Sequence, residues 1–93
     1  MTVRRHLVDL LGQEPRSVSS LARELGLSQR DLEDNLRHAI RSARAAGHDV
    51  VVTPARCRAC GFVFDESRLT KPGKCPTCRE SRIFEPQIGV RIR

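Results

Sequence analysis

The chain has 93 residues, a formal net charge of +6, and only three Phe with no Trp or Tyr. That length allows one domain, or one small domain with an insert, and the scarcity of aromatics leaves a thin core of the kind that small folds supplement with a staple. No stretch approaches the roughly 20 apolar residues of a membrane span, and the opening MTVRRHLVDLLG is too short in apolar run, and too soon broken by Asp9, for a signal peptide, so a cytoplasmic protein with no membrane partner is expected.

Residues 1–47 read as three helices. In the first, Val3, Leu7, Leu10 and Leu11 share a face, Thr2 can cap the start and Gly12 can end it. Pro15 breaks the connector. A short second helix carries Val18, Leu21, Ala22 and Leu25 behind a cap at Ser17 or Ser19. Gly26 supplies a tight turn with positive φ. The third helix starts at Ser28, with Asp31 placed for an approximate capping box. It buries Leu32, Leu36, Ala39, Ile40 and Ala43, and ends at Gly47. The period then changes from helix to strand. Residues 49–53 (DVVVT) are β-branched, and Ile88, Val90 and Ile92 alternate with Gly89, Arg91 and Arg93. The simplest topology pairs 49–53 antiparallel with 88–93 and inserts residues 55–86 at the far end. The expected domains are therefore 1–54 plus 87–93, and 55–86.

All four cysteines fall in the insert, as C-x2-C-x14-C-x2-C: Cys57, Cys60, Cys75 and Cys78. In a cytoplasmic setting, paired cysteines read as metal ligands before disulfides. Each C-x2-C turn offers two thiolates at the separation a tetrahedral ion needs. Gly61 lets the backbone turn around the sulfurs and Pro76 stiffens the second turn. A single redox C-x2-C pair and a disulfide are the competing readings. With all four positions filled by protein, the role is structural, and ion binding becomes folding free energy for residues 55–86. One Zn²⁺ and four thiolates lower the formal charge from +6 to +4. Phe62, Phe64 and Phe84 flank the site and read as packing over it, with a base-stacking platform as the sharper alternative.

CRACG and KCPTC resemble the two knuckles of a rubredoxin-type zinc ribbon. The chain is basic and poor in aromatics, unlike the iron-binding rubredoxins, which favours zinc over iron. SVSSLARELGLSQRDLEDNL resembles a helix-turn-helix, with Asn35 where an apolar residue is usual. The full order resembles the predicted transcriptional regulators, best known from archaea, that carry a rubredoxin-like zinc ribbon on a winged-helix variant. C-R-x-C-G-x-x-F, L-x-K-P-x-x-C-P-x-C and Glu85-Pro86 carry that resemblance. It implies an α+β fold, a three-helix winged helix-turn-helix with the four-cysteine zinc ribbon inserted between the wing strands, and a DNA-binding function in transcription control.

Placing the apolar face of the third helix inward puts Arg30, Arg37, Arg41 and Arg44 in one outward stripe, able to meet phosphate or guanine in double-stranded DNA. Arg58, Lys71, Lys74, Arg79 and Arg82 surround the knuckles, Arg91 and Arg93 fall on the polar side of the last strand, and all could track phosphates. Against this, Asp31, Glu33 and Asp34 border the stripe, and Glu33–Arg37 and Arg30–Asp34 are spaced as solvated i,i+4 pairs. The alternative function is a zinc-stabilised protein-interaction module, an adaptor in a transcription or RNA-processing complex. Electron transfer through iron is a third. His6, His38 and His48 have no ligand spacing. No catalytic arrangement or small-molecule site is recognisable, so no enzyme is expected. Winged helices often pair on two half-sites, which makes a homodimer a candidate assembly.

Overall fold

Three helices, α1 (Thr2–Gln13), α2 (Val18–Leu25) and α3 (Gln29–Ala45), precede four short strands, β1 (Asp49–Thr53), β2 (Arg56–Cys57), β3 (Ile83–Phe84) and β4 (Gln87–Arg91), in a computed structural model that describes residues 2–93. The architecture is α+β, with three helices, two small sheets and the four-cysteine insert.

Helix boundaries follow local chemistry. Of the two candidate caps on α2, Ser17 serves: its hydroxyl accepts the Ser20 N–H at 3.2 Å. A second early donor, the Ser19 N–H, is taken by the Glu85 carboxylate at 3.1 Å. Both bonds satisfy groups that a helix start leaves without partners. Gly26 closes α2 in the left-handed region (φ 68°), and the Leu27 N–H returns to the Ala22 carbonyl at 3.0 Å. Ser28 caps α3 through the Asp31 N–H, at 3.1 Å. The capping box is half-formed, since among the described residues Asp31 makes no return bond to Ser28. The end of α3 is a Schellman turn: Gly47 sits at φ 85°, its N–H meets the Arg44 carbonyl and the His48 N–H meets that of Ala43.

Helix α1 departs from expectation at both ends. Val3 is 37% exposed, and Val8 packs against the core instead. Gly12 does not terminate the helix, which continues to Gln13. Its lack of a side chain makes room for Ile92, whose Cδ1 would lie 2.6 Å from a Cβ built there. The proposed cap at Thr2 involves a side chain outside the described set.

Strands β1 and β4 pair antiparallel, from Asp49 opposite Arg91 to Thr53 opposite Gln87. The last strand therefore starts one residue earlier and stops two residues sooner than the alternation suggests. Ile92 lies beyond it, 53% exposed. Arg93, expected on the polar side of that strand, reaches back to Asp49 at 2.7 Å, while its N–H donates to His48 Nδ1. On its other edge β4 bonds to Arg16, through N–H to carbonyl pairs at 2.9 and 2.8 Å between Arg16 and Ile88. Gly89 is buried against Pro15 rather than turned to water.

One core joins all of these elements. Leu7 and Leu11 of α1, Leu21 of α2, Leu32 and Leu36 of α3, and Ile88 of β4 are each at most 2% exposed. The five α3 residues expected to be buried all are. The cluster also takes in Leu69, from the segment between the two cysteine pairs, at 4% exposure. The insert thus folds back on the helices. Truncating a well-packed buried leucine costs about 2–5 kcal/mol. Leu69→Ala is therefore expected to lower the denaturation midpoint of the zinc-loaded protein as read by helical circular dichroism at 222 nm. An unchanged helical midpoint would mean that insert and helices are energetically separate.

Candidate metal centre

The cysteine segment is built as two copies of one turn. In the first, the Cys57 N–H donates to the Phe62 carbonyl at 2.9 Å and the Gly61 N–H to the Cys57 carbonyl at 3.1 Å. In the second, the Cys75 N–H donates to Glu80 at 2.9 Å and the Arg79 N–H to Cys75 at 2.8 Å. The residue after each pair lies in the left-handed region, Gly61 at φ 82° and Arg79 at φ 63°. Backbone donors also point at the leading sulfurs. Ala59 and Cys60 N–H groups lie 3.4 and 3.5 Å from Cys57 Sγ, and that of Thr77 lies 3.4 Å from Cys75 Sγ. The leading cysteine of each turn is buried and the trailing one is exposed.

The four sulfurs all lie within 4.8 Å of one another, with Cys57–Cys78 at 3.5 Å and Cys60–Cys75 at 3.6 Å. Four thiolates at the ordinary zinc–sulfur length form a tetrahedron with edges of about 3.8 Å. The donor set therefore fits a single zinc with no open position. Cys57, Cys60, Cys75 and Cys78 would hold it, and the ion would supply the cross-link in place of an apolar core.

The thiols differ in acidity. The Cys60 N–H, working against burial and helped by the Ala59 N–H, lowers Cys57 to about 6. Cys75 is also lowered: burial opposes ionisation most strongly, but the N–H groups of Cys78 and Thr77 and the sulfurs of Cys60 and Cys78 outweigh it. At Cys78 the Glu80 N–H favours the thiolate, yet burial and the other three sulfurs push it up to about 12. At Cys60 the Phe62 N–H favours the thiolate, but burial and the sulfurs of Cys75 and Cys57 raise it, against a smaller opposing effect of Cys78. The leading sulfur of each turn is thus shifted toward the thiolate and the trailing one toward the thiol.

Residues 2–51 match the family described as PF0610-like, N-terminal, and residues 54–91 match the PF0610 rubredoxin-like zinc beta-ribbon domain. The chain belongs to the PF0610-like family. The solution NMR structure of protein PF0610 from Pyrococcus furiosus is similar over 99% of this chain and 90% of that one, at 30% identity and a TM-score of 0.79. No curated protein matches the chain at a significant level. The zinc ribbon that CRACG and KCPTC resemble is therefore present, and one structural zinc is its cofactor.

The basic residues singled out in the sequence are dispersed. Arg30, Arg37, Arg41 and Arg44 are all exposed on α3. Arg37 is engaged, at 2.8 Å from Glu33 and 3.4 Å from the Ser67 carbonyl. The expected Arg30–Asp34 pair does not form. Arg41 and Arg44 border a groove between α3, β1 and the insert, with Leu69 and Val52 in its wall. Lys71 and Lys74 are exposed between the two turns. Arg58 lies over the Phe84 ring, 5.0 Å from its centroid. Phe62 and Phe64, both half-buried, meet edge to face at 5.0 Å, whereas Phe84 is 46% exposed.

Sequence reasoning missed three functional positions. Arg79 repeats the role of Gly61 without a glycine to signal it. Leu69 gave no periodic cue in a segment without regular structure. Glu85 caps a helix 66 residues away.

Two outcomes test the centre. No atom lies within 4 Å of a Cβ added at Gly61, so Gly61→Ala meets only backbone strain and should cost roughly 1 kcal/mol, while Arg79→Gly should gain a similar amount. Chemical denaturation of the zinc-loaded variants reads both. Because Cys60 and Cys78 are shifted toward the protonated form that zinc must displace, loading should release protons, and affinity should rise with pH. Competition against a chromophoric chelator between about pH 6.5 and 8 measures this. An affinity independent of pH would mean that all four thiols are already ionised.

Proposed function

We propose that the chain is a DNA-binding transcriptional regulator, a winged helix-turn-helix in which the zinc ribbon extends the wing formed by β1 and β4. The observation that carries this reading is the row of four exposed arginines along α3. It begins at Arg30, in the open first turn, beside the tight turn at Gly26. A recognition helix presents this half to the major groove. Arginine there can bridge phosphates or pair with guanine in two places. The excess of basic residues adds a long-range attraction for polyanions. A homodimer would present two such helices to two half-sites.

One observation favours a second reading, a protein-interaction module. Asp31, Glu33 and Asp34 share the first two turns of α3 with Arg30, and Glu33 already neutralises Arg37. A helix so laced with acids would repel phosphate and suit a protein partner of mixed charge.

Binding of the zinc-loaded protein to a pool of duplexes, across roughly 50 to 200 mM salt, separates the two readings. A regulator retains a subset of sequences at the upper end. Arg30→Gln and Arg41→Gln should then each weaken the retained duplexes, by about 1–3 kcal/mol where the residue pairs with a base. Uniform collapse without sequence preference would reject α3 as a reader and favour the interaction module.

A further inference from the structure

The small β2–β3 sheet has two unlike faces. Cys57 and Ile83, opposite each other, turn inward at 1% and 5% exposure. Arg56 and Phe84, the neighbouring pair, turn outward, and Val63 joins them across a bridge to Arg56, 57% exposed. The outer face thus presents Val63, Arg56 and Phe84 in a row, with Arg58 beside it. Both guanidinium groups lie over the phenyl ring, at 5.4 Å for Arg56 and 5.0 Å for Arg58. Among the described residues, neither makes an ion pair. An open groove of about 600 Å³ runs alongside, walled by Thr53, Pro54 and Gln87. Among the described residues, the one carboxylate bordering it, that of Glu85, accepts the Ser19 N–H.

In a chain so short of aromatics, one ring kept at the surface between two uncompensated cations is a specific arrangement. A flat apolar face suits a nucleobase, and the adjoining cations suit its phosphates. We propose that this outer face binds single-stranded DNA, with an unpaired base stacked on Phe84. One guanidinium is displaced from the ring and meets the next phosphate. The choice of DNA over RNA rests on the duplex-binding reading above; the stacking site itself does not. The α3 stripe and this platform lie on different elements, so one chain would hold a duplex by its helix and an adjacent separated strand by its ribbon.

Fluorescence anisotropy of labelled dT15, rU15 and a 15-base-pair duplex with the zinc-loaded protein tests the proposal. At about 50 mM salt, Phe84→Ala should weaken dT15 binding about tenfold or more. Phe84→Leu should do the same, because it keeps apolar cover without a flat face, and Phe84→Tyr should restore binding. Arg58→Gln should lower the salt slope by about one. Zinc content and unfolding midpoint are checked for every variant. If Phe84→Ala sheds zinc, Phe84→Leu and Arg58→Gln decide. Binding of dT15 by Phe84→Leu at the unmodified level overturns stacking. Binding of rU15 as tight as that of dT15 overturns the DNA assignment, and no dT15 binding at all overturns the site. Equal loss of duplex and dT15 on Phe84→Ala would reduce it to one general basic surface. Failure of the duplex reading is seen separately: the duplex then goes unbound, or is unaffected by Arg30→Gln, while dT15 still depends on Phe84.

Discussion

The fold depends on closing four sulfurs around one ion at the end of a two-stranded sheet. The ribbon leaves the helical part at Thr53 and returns at Gln87, and those two residues are partners in the β1–β4 ladder. Whatever holds the ribbon shut also holds the two strands in register. Since β4 contributes Ile88 and Val90 to the core and bonds to Arg16 on its other edge, the metal centre is tied to the helices through backbone as well as through Leu69. The ribbon and the helical part are therefore mechanically one object, although their cores are built by different means, apolar packing in one and coordination in the other.

The readable parts of this structure were those with a repeating or a discrete signal. The α3 stripe of Leu32, Leu36, Ala39, Ile40 and Ala43 repeats often enough to place every buried position. The cysteine pairs name their own chemistry. Short alternations were less reliable. Ile88, Val90 and Ile92 look equivalent on paper, but Gly12 gives Ile92 a surface niche outside the strand, a relation between residues 80 apart in sequence. Gly89, counted on the solvent side by alternation, is covered by Pro15 for the same kind of reason. Long-range partners of this sort leave no periodic mark. The metal ligands were legible in full. Among the basic residues, the helix stripe and the Glu33–Arg37 pair were legible from i,i+4 spacing, whereas the stacking of Arg56 and Arg58 on Phe84 depends on how the insert folds.

The two candidate nucleic-acid surfaces differ in how charge is treated. On α3, arginines alternate with carboxylates, so the local field is mixed and part of it is spent within the helix. Exposed pairs such as Glu33–Arg37 contribute little to stability, about 0.3–0.5 kcal/mol, and can be exchanged for a ligand at small cost. On the ribbon, Arg56 and Arg58 rest on an aromatic ring, which leaves their charge uncompensated. The same two strands close the cysteine cluster on one side and carry that platform on the other, because a strand alternates its side chains between faces.

The position of the ribbon between β1 and β4 also bears on the order in which the chain can fold. Thr53 and Gln87 are thirty-four residues apart along the chain. Through the cysteine cluster the route is shorter: four residues from Thr53 to Cys57 and nine from Cys78 to Gln87, about thirteen in all. Loop-closure entropy grows with the logarithm of length, so the shorter route reduces the entropic cost of bringing the strands together by roughly 0.9 kcal/mol. Each cysteine turn is local and needs no tertiary support to begin. A chain that forms its knuckles first meets the β1–β4 pairing as a short-range event.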